Sequence, residues 1–388
     1  VTAKFDPAVY RGVRVVVLGG TGFLGRRVVE RLISYGAAPI LLCRQKPRAL
    51  PEGWRGRVVV YDDPISTLKA VSEALANCFA FNEAAAAINL AAAGVLPAER
   101  EPNALAAANG LLAETTAKTI GELCADLPPV WPGATLLHVG SALEYGLHPA
   151  SLDEAAPASP DEPYGRSKLR GTKAVLRART EHGLAALVAR PFTVFGPGEA
   201  PSRLLPSLVA RAGDDRPIDF TEGFQRRDFA YVDDVADALV RLLASPRKAV
   251  AAGEGPFDAG VVNVATGVSV TVREFVRAAA REFLIDEGRL RFGALPARAD
   301  DTEHPPTPVA RLAAALGAPL DADLALGLRR THRRLLASLY EKPPAAEERK
   351  TEPAGGRPPA PKAAPRRRED RPRPASSAGK DGAPPGAR

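Results

Sequence analysis

The stretch VRVVVLGGTGFLGRR, residues 13–27, decides the fold. It opens on a β-branched run, VRVVVL over 13–18, whose composition predicts a buried strand. Glycines follow at three-residue spacing, Gly19, Gly22 and Gly25, and the next residues, RRVVERLISYG, carry apolar positions at helical spacing up to Gly36. Strand, glycine turn and helix in this order let the backbone fold sharply and approach a pyrophosphate, with free N–H groups at the helix start facing the anion. The plain alternative is a tight strand–helix turn, and for Arg26 and Arg27 solvated helix positions. A glycine triplet alone carries little, but one set between a strand and a helix carries much more.

Outward from this turn the alternation continues. Strands are predicted over 40–43, 57–61, 86–90, 135–139 and 185–189, with helices over 66–76, 103–124 and 164–182. Strands separated by helices of ten or more residues imply a parallel sheet covered on both faces, with ligands at the carboxyl ends of the strands. The fold class is therefore α/β, a Rossmann-type doubly wound sheet. Beyond Pro191 the pattern loosens into Pro/Gly-rich loops, with helices over 204–211, 232–243 and 272–283 and a strand over 261–264. Three units are expected: a dinucleotide-binding domain over 10–190 completed by parts of 225–265, a smaller substrate domain mainly over 191–340, and a disordered Pro/Arg-rich tail over 341–388.

Composition narrows the class. The 388 residues are 45% hydrophobic and 25% charged, enough to bury a full core. The tail carries twelve Lys/Arg against seven Asp/Glu, a net +5 of the chain's +7, so the remainder is nearly neutral. The tail's basic residues are interrupted by acids and lack aromatic neighbours, so specific nucleic-acid binding is not expected. Cys43, Cys78 and Cys124 form neither a disulfide framework nor a zinc spacing, and no metal is expected. No apolar run approaches the roughly 20 residues that cross a bilayer, and residues 1–12 lack a signal-peptide core, which predicts a cytoplasmic protein without membrane contact. Methionine is absent, even at position 1, as in a processed or trimmed start.

Two further motifs fall where the sheet would expose them. HVGSALEYG places Ser141 just past a strand, and EPYGRSK places Tyr164 and Lys168 four residues apart at a helix start. That spacing puts the hydroxyl and the ammonium on one helix face. A nearby positive charge favours the phenolate and predicts a tyrosine pKa lowered from about 10, making it a usable acid/base.

With the glycine turn and Asn109 on the Ala-rich helix, these motifs resemble the extended short-chain dehydrogenase/reductase family, in its nucleotide-sugar epimerase/dehydratase/reductase branch. The resemblance spans residues 13–317 and implies a Rossmann domain with a smaller C-terminal sugar-nucleotide domain. It implies Tyr164 as general acid/base, Lys168 as its electrostatic partner and a nicotinamide-ribose ligand, and Ser141 as donor to the reacting oxygen. Along the cofactor it implies Gly19, Gly22, Phe23, Leu24, Gly25, then Leu90, Ala91 and Ala92 of INLAAAG, with Asn109 near the active site, the plain alternatives being a helix kink or a structural contact. Asp62, with Asp63 as rival, matches the acid that meets adenine. For substrate it implies Thr193 of ARPFTVFGPGE, and Arg227 and Arg298 as forks for a nucleoside diphosphate, where a surface salt bridge is the plain alternative for each arginine. A homodimer through the two long helices is also implied. The dehydratase subgroup has an Asp-Glu pair directly after Ser141; here Ala142 and Leu143 stand there and Glu144 comes one step late, which argues against a 4,6-dehydratase.

Eighteen residues after Gly25, at the end of the second strand, NAD enzymes place an acid on the ribose hydroxyls; this chain has Cys43, followed by Arg44, Lys46 and Arg48. Losing the acid removes repulsion and gaining Arg44 adds attraction for a 2′-phosphate, so NADP(H) is favoured, with NAD(H) possible. Net reductions in this branch usually draw on NADPH, and the expected activity is reduction of a nucleoside-diphosphate 4-keto-6-deoxy sugar. The alternatives are an NAD-dependent nucleotide-sugar 4-epimerase, a non-catalytic NADP-binding regulatory protein, and a reductase of a non-nucleotide ketone.

Overall fold

Strand β1 (Arg14–Leu18) is buried from Val15 to Leu18, because helices cover both faces of its β-branched run. The computed structural model describes residues 5–47, 49–60, 64–80, 83–126, 130–147, 149, 152–298 and 301–340. Arg48, Asp62, Asp63 and the tail over 341–388 lie outside the described residues.

After β1 come α1 (Phe23–Ser34), β2 (Ala38–Cys43), β3 (Arg57–Val60), α2 (Pro64–Ala80) and β4 (Ala86–Asn89). Then follow α3 (Pro102–Leu105), a π-helical segment (Ala106–Leu111), α4 (Leu112–Asp126), β5 (Leu136–Val139), α5 (Pro163–His182) and β6 (Ala186–Pro191). Helix α5 opens with Pro163 in its first turn and closes on left-handed Gly183 (φ 61°), so backbone chemistry sets both ends.

These strands, joined by β10 (Val261–Val264), form a seven-stranded sheet in the order β10-β6-β5-β4-β1-β2-β3, every pair parallel. The chain winds one way from β1 to β3 and the other from β4 onward, which opens a crevice at the carboxyl ends of β1 and β4. One face buries Val28, Val29 and Leu32 of α1 against the sheet together with Val235, Leu239 and Leu243 of α7 (Val232–Leu243). The other buries Val71 and Leu75 of α2, Ile120 of α4 and Val175 of α5. The doubly wound architecture expected from the alternation is the observed one.

The predicted helix over 103–124 is interrupted by its π segment. The neighbouring helix runs close at this point: a Cβ on Gly171 of α5 would sit 2.4 Å from the Asn109 carbonyl oxygen, so α5 passes the bulge at backbone distance. Such single-turn bulges re-aim one residue, here Asn109.

Directly after β6 begins β7 (Thr193–Phe195), which with β9 (Arg226–Tyr231) and β11 (Ser269–Thr271) forms a three-stranded sheet. Strands β8 (Ile218–Phe220) and β12 (Leu290–Phe292) pair separately. Together with α6 (Leu204–Val209), α9 (Val272–Glu282) and α11 (Leu324–Tyr340) these enclose a distinct apolar cluster centred on Phe195, Phe229 and Phe275. Helices α8 (Arg247–Ala252) and α10 (Ala310–Leu316) complete the described chain. Among the described residues no helix is long and apolar enough to cross a membrane.

Candidate active site

Backbone approach builds the phosphate turn. Gly19 has φ +75°, and a Cβ there would come within 2.6 Å of the Ala91 nitrogen; one on Gly25 would come within 2.1 Å of the Gly19 carbonyl oxygen. Gly22 caps α1 without a side chain, so no side-chain oxygen occupies the N–H groups of the first turn, where Phe23 and Leu24 lie. Leu90 donates its N–H to the Leu18 carbonyl (2.9 Å), which sets Leu90 and Ala91 against the turn, with Ala92 next in the loop. A turn with no room for a Cβ at Gly19 or Gly25, at a helix N-terminus in the sheet crevice, fits the pyrophosphate of a nicotinamide dinucleotide.

At the neighbouring strand end Cys43 is buried, its thiol directed at the Val59 carbonyl on β3 (3.9 Å). Burial pushes its pKa up, so this position carries no negative charge. Arg44 is exposed just beyond it.

Ser141, Tyr164 and Lys168 converge below the same crevice. Tyr164 and Lys168 are both buried on α5, and Ser141 begins the 3-10 turn after β5. The electrostatics differ from the sequence expectation. Burial first, and the Glu144 carboxylate second, raise the Tyr164 pKa to about 12, against the downward pull of Arg100, Arg203 and the Ser141 hydroxyl. Lys168 does not turn this balance: its ammonium donates to the Val139 carbonyl at 2.6 Å, and burial lowers its own pKa to about 8. The pairing rule placed the two groups on one helix face correctly but ignored desolvation, which outweighs the Coulomb effect at a buried phenol.

Asn109 is a strut. Its amide oxygen accepts from Ala93 N (2.9 Å) and its amide nitrogen donates to Ala93 O (3.1 Å) and to Ser167 Oγ (2.9 Å), tying the loop after β4 to α5.

Sequence reasoning missed Glu144 as a site residue. Fully buried, it completes a capping box with Ser141: Leu143 N donates to Ser141 Oγ (3.2 Å) and Ser141 N donates to Glu144 Oε1 (2.9 Å). Its other oxygen accepts from Arg190 Nε at 2.9 Å, and the Arg190 guanidinium lies 4.5 Å from the Tyr145 ring centroid. Tyr145 in turn donates to Asn263 on β10 (2.9 Å). The Ser141 turn is thus anchored to β6 and β10 by a buried polar network.

On the substrate side, Thr193 opens β7, in register with Phe229. Arg227 pairs with Asp301 (3.3 Å) and feels the positive charges of Arg203 and Arg298, so three cations share this side of the crevice. Beside them His304 is buried edge-on to Phe192, 5.1 Å between ring centroids, and burial with the Arg227 charge lowers its pKa to about 3. Arg100, Arg203 and His304 had no sequence signal, since their loops meet only in the folded chain.

A doubly wound dinucleotide fold that presents serine, tyrosine and lysine together beside a phosphate cradle defines a short-chain oxidoreductase-type enzyme. The model of the NAD dependent epimerase/dehydratase family matches residues 15–265, and the chain belongs to that family. It is an NAD(P)-dependent enzyme of the extended short-chain type. A relative from Kitasatospora kifunensis, dTDP-6-deoxy-L-talose 4-dehydrogenase (NAD(P)(+)), is 32% identical over 286 residues, 71% of this chain and 79% of that one. UDP-glucose 4-epimerase of Mycolicibacterium smegmatis is 33% identical over 169 residues, 42% of this chain and 46% of that one. The structure of MoeE5 in complex with UDP-glucuronic acid and NAD superposes with a TM-score of 0.66 at 25% identity, covering 84% of this chain and 99% of that one.

Proposed function

We propose that the chain is an NADPH-dependent reductase of a nucleoside-diphosphate 4-keto-6-deoxy sugar. The observation that carries the reading is the end of β2, where a buried neutral Cys43 and an exposed Arg44 replace the acid that would repel a 2′-phosphate. The Kitasatospora relative supports the sugar class, because its named reaction run backwards reduces a 4-keto-6-deoxy sugar nucleotide.

In this reading Gly19, Gly22 and Gly25 admit the pyrophosphate, Phe23, Leu24, Leu90, Ala91 and Ala92 line the cofactor, Arg44 meets the 2′-phosphate, and Asn109 holds the loop that carries Ala93. The bound nicotinamide supplies the hydride. Tyr164 gives its phenolic proton to the sugar oxygen, and Ser141 donates a hydrogen bond to the same oxygen. A phenol held near 12 is protonated throughout the neutral range, which suits a general acid. Lys168, released from Val139, holds the nicotinamide ribose. Arg227 and Arg298 fork the diphosphate, with Thr193 at the pocket entrance. The smaller substrate unit is mainly 191–340, and a homodimer forms through α4 and α5, which pack side by side; a monomer in sedimentation would remove that part.

The epimerase reading, favoured by the Mycolicibacterium relative, uses the same three residues but consumes no cofactor. Stoichiometric NADPH oxidation with a dTDP-4-keto-6-deoxy sugar tests between them: turnover without it excludes the reductase.

A further inference from the structure

Arg100 lies over the Tyr164 ring, its guanidinium carbon 5.7 Å from the centroid. It has a built seat. Its Nε donates to the Gly94 carbonyl (3.4 Å) and its Nη1 pairs with Glu162 (3.5 Å), the residue that caps α5 two positions before Tyr164. Gly94, left-handed at φ +70°, leaves room for the stem, because a Cβ there would lie 3.3 Å from Arg100 Cγ. The side chain is only 17% exposed, so water screens its charge weakly.

The groups that face Tyr164 come from four directions. Glu144, from the turn after β5, is negative and buried; Ser141 of that turn is neutral. Arg203, from the N-terminus of α6, and Arg100, from the loop before α3, are positive. Lys168, one turn along α5, is engaged by the Val139 carbonyl, and buried His138 beneath it is held neutral by burial and by the Lys168 charge. The buried anion therefore opposes ionisation of the phenol, and the cation seated over the ring is the group placed to offset it.

We propose that Arg100 is a positioning residue that acts through Tyr164, supplying across the face of the ring the positive charge that makes the phenol's proton transferable. The inference rests on the reading of Tyr164 as the acid/base. It assigns to a loop before the π segment part of the work that helical spacing assigns to Lys168.

The test uses the full chain with fluorotyrosine incorporated at position 164, whose electron-poor ring ionises at lower pH, read by fluorine NMR without substrate. Arg100→Gln should raise the titration midpoint by about one pH unit, the size expected from losing a charge within about 6 Å. Arg100→Met, which keeps the stem over the ring, should do the same and serves if the glutamine variant does not fold. Arg100→Lys should restore most of the shift. Neutral variants that titrate together with the unsubstituted chain would overturn the inference, as would an Arg100→Lys midpoint equal to that of Arg100→Gln. A shift in the neutral variants alongside unchanged turnover in Tyr164→Phe would sink the proposed function and, with it, the role of Arg100 in proton transfer, whereas unshifted neutral variants alongside lost turnover in Tyr164→Phe would sink the inference alone.

Discussion

The glycine turn after β1 and the surroundings of Tyr164 both gather sources of positive potential, yet they are made differently. In the turn the potential comes from backbone N–H groups within residues 13–27, and the glycines keep side chains out of the way. Around Tyr164 it comes from side chains carried by the loop before α3 and the start of α6, opposed by a buried carboxylate on a third segment. A backbone cradle can be damaged only by adding atoms. A side-chain pocket can be tuned residue by residue, which is where relatives with one fold can diverge in chemistry.

Breaking the comparison begins with the pocket's buried pair. Glu144→Leu strands Arg190 without its partner and should cost about 3–5 kcal/mol in chemical denaturation, whereas Glu144→Leu with Arg190→Leu should recover most of it. A single variant as stable as the parent would mean the pair does not anchor the Ser141 turn. On the turn side, Gly25→Ala drives a Cβ against the Gly19 carbonyl, and an overpacked backbone contact costs roughly 1–3 kcal/mol. NADPH binding should weaken together with the melting temperature; unaltered binding would remove the cradle from the account.

A pH-dependent effect, below about 1 kcal/mol near pH 6, separates the substrate side from both. His304 has a folded pKa near 3 against an ordinary value of 6.5, so the unfolded chain binds the extra proton between those values. Its contribution is fully present above about pH 6.5 and lost as pH falls toward 3, with a slope of up to about 1.4 kcal/mol per pH unit. His304→Phe should flatten the acid limb of a stability–pH curve by that one proton. One further expected change sharpens the cofactor assignment: Arg44→Ala should weaken NADPH by about tenfold and leave NADH nearly unchanged in titration calorimetry, the size of one exposed charge-assisted contact.

What the sequence made legible follows the same division. The strand, turn and first helix were readable because their determinants are local: a β-branched run, three glycines and an apolar stripe. Tyr164 and Lys168 were readable as a pair from helical spacing, but the shift on Tyr164 was not, since burial depends on how α5 meets the sheet. The π segment at Asn109 lies against Gly171 in another helix, and within residues 103–124 only Asn109 hinted at a kink there. Glu144 was legible in principle. Ser141-Ala-Leu-Glu144 has the spacing of a capping box, a signal separate from the dehydratase pattern it fails to match. Arg100 and Arg203 left no local trace.

Net reduction is tested most directly by following reduced nicotinamide absorbance with the purified chain, NADPH and a dTDP-4-keto-6-deoxy sugar. One NADPH should be oxidised per sugar reduced, with a rate lowered by roughly a hundred- to ten-thousand-fold in Tyr164→Phe. Conversion between sugar epimers with no net change in NADPH would contradict it.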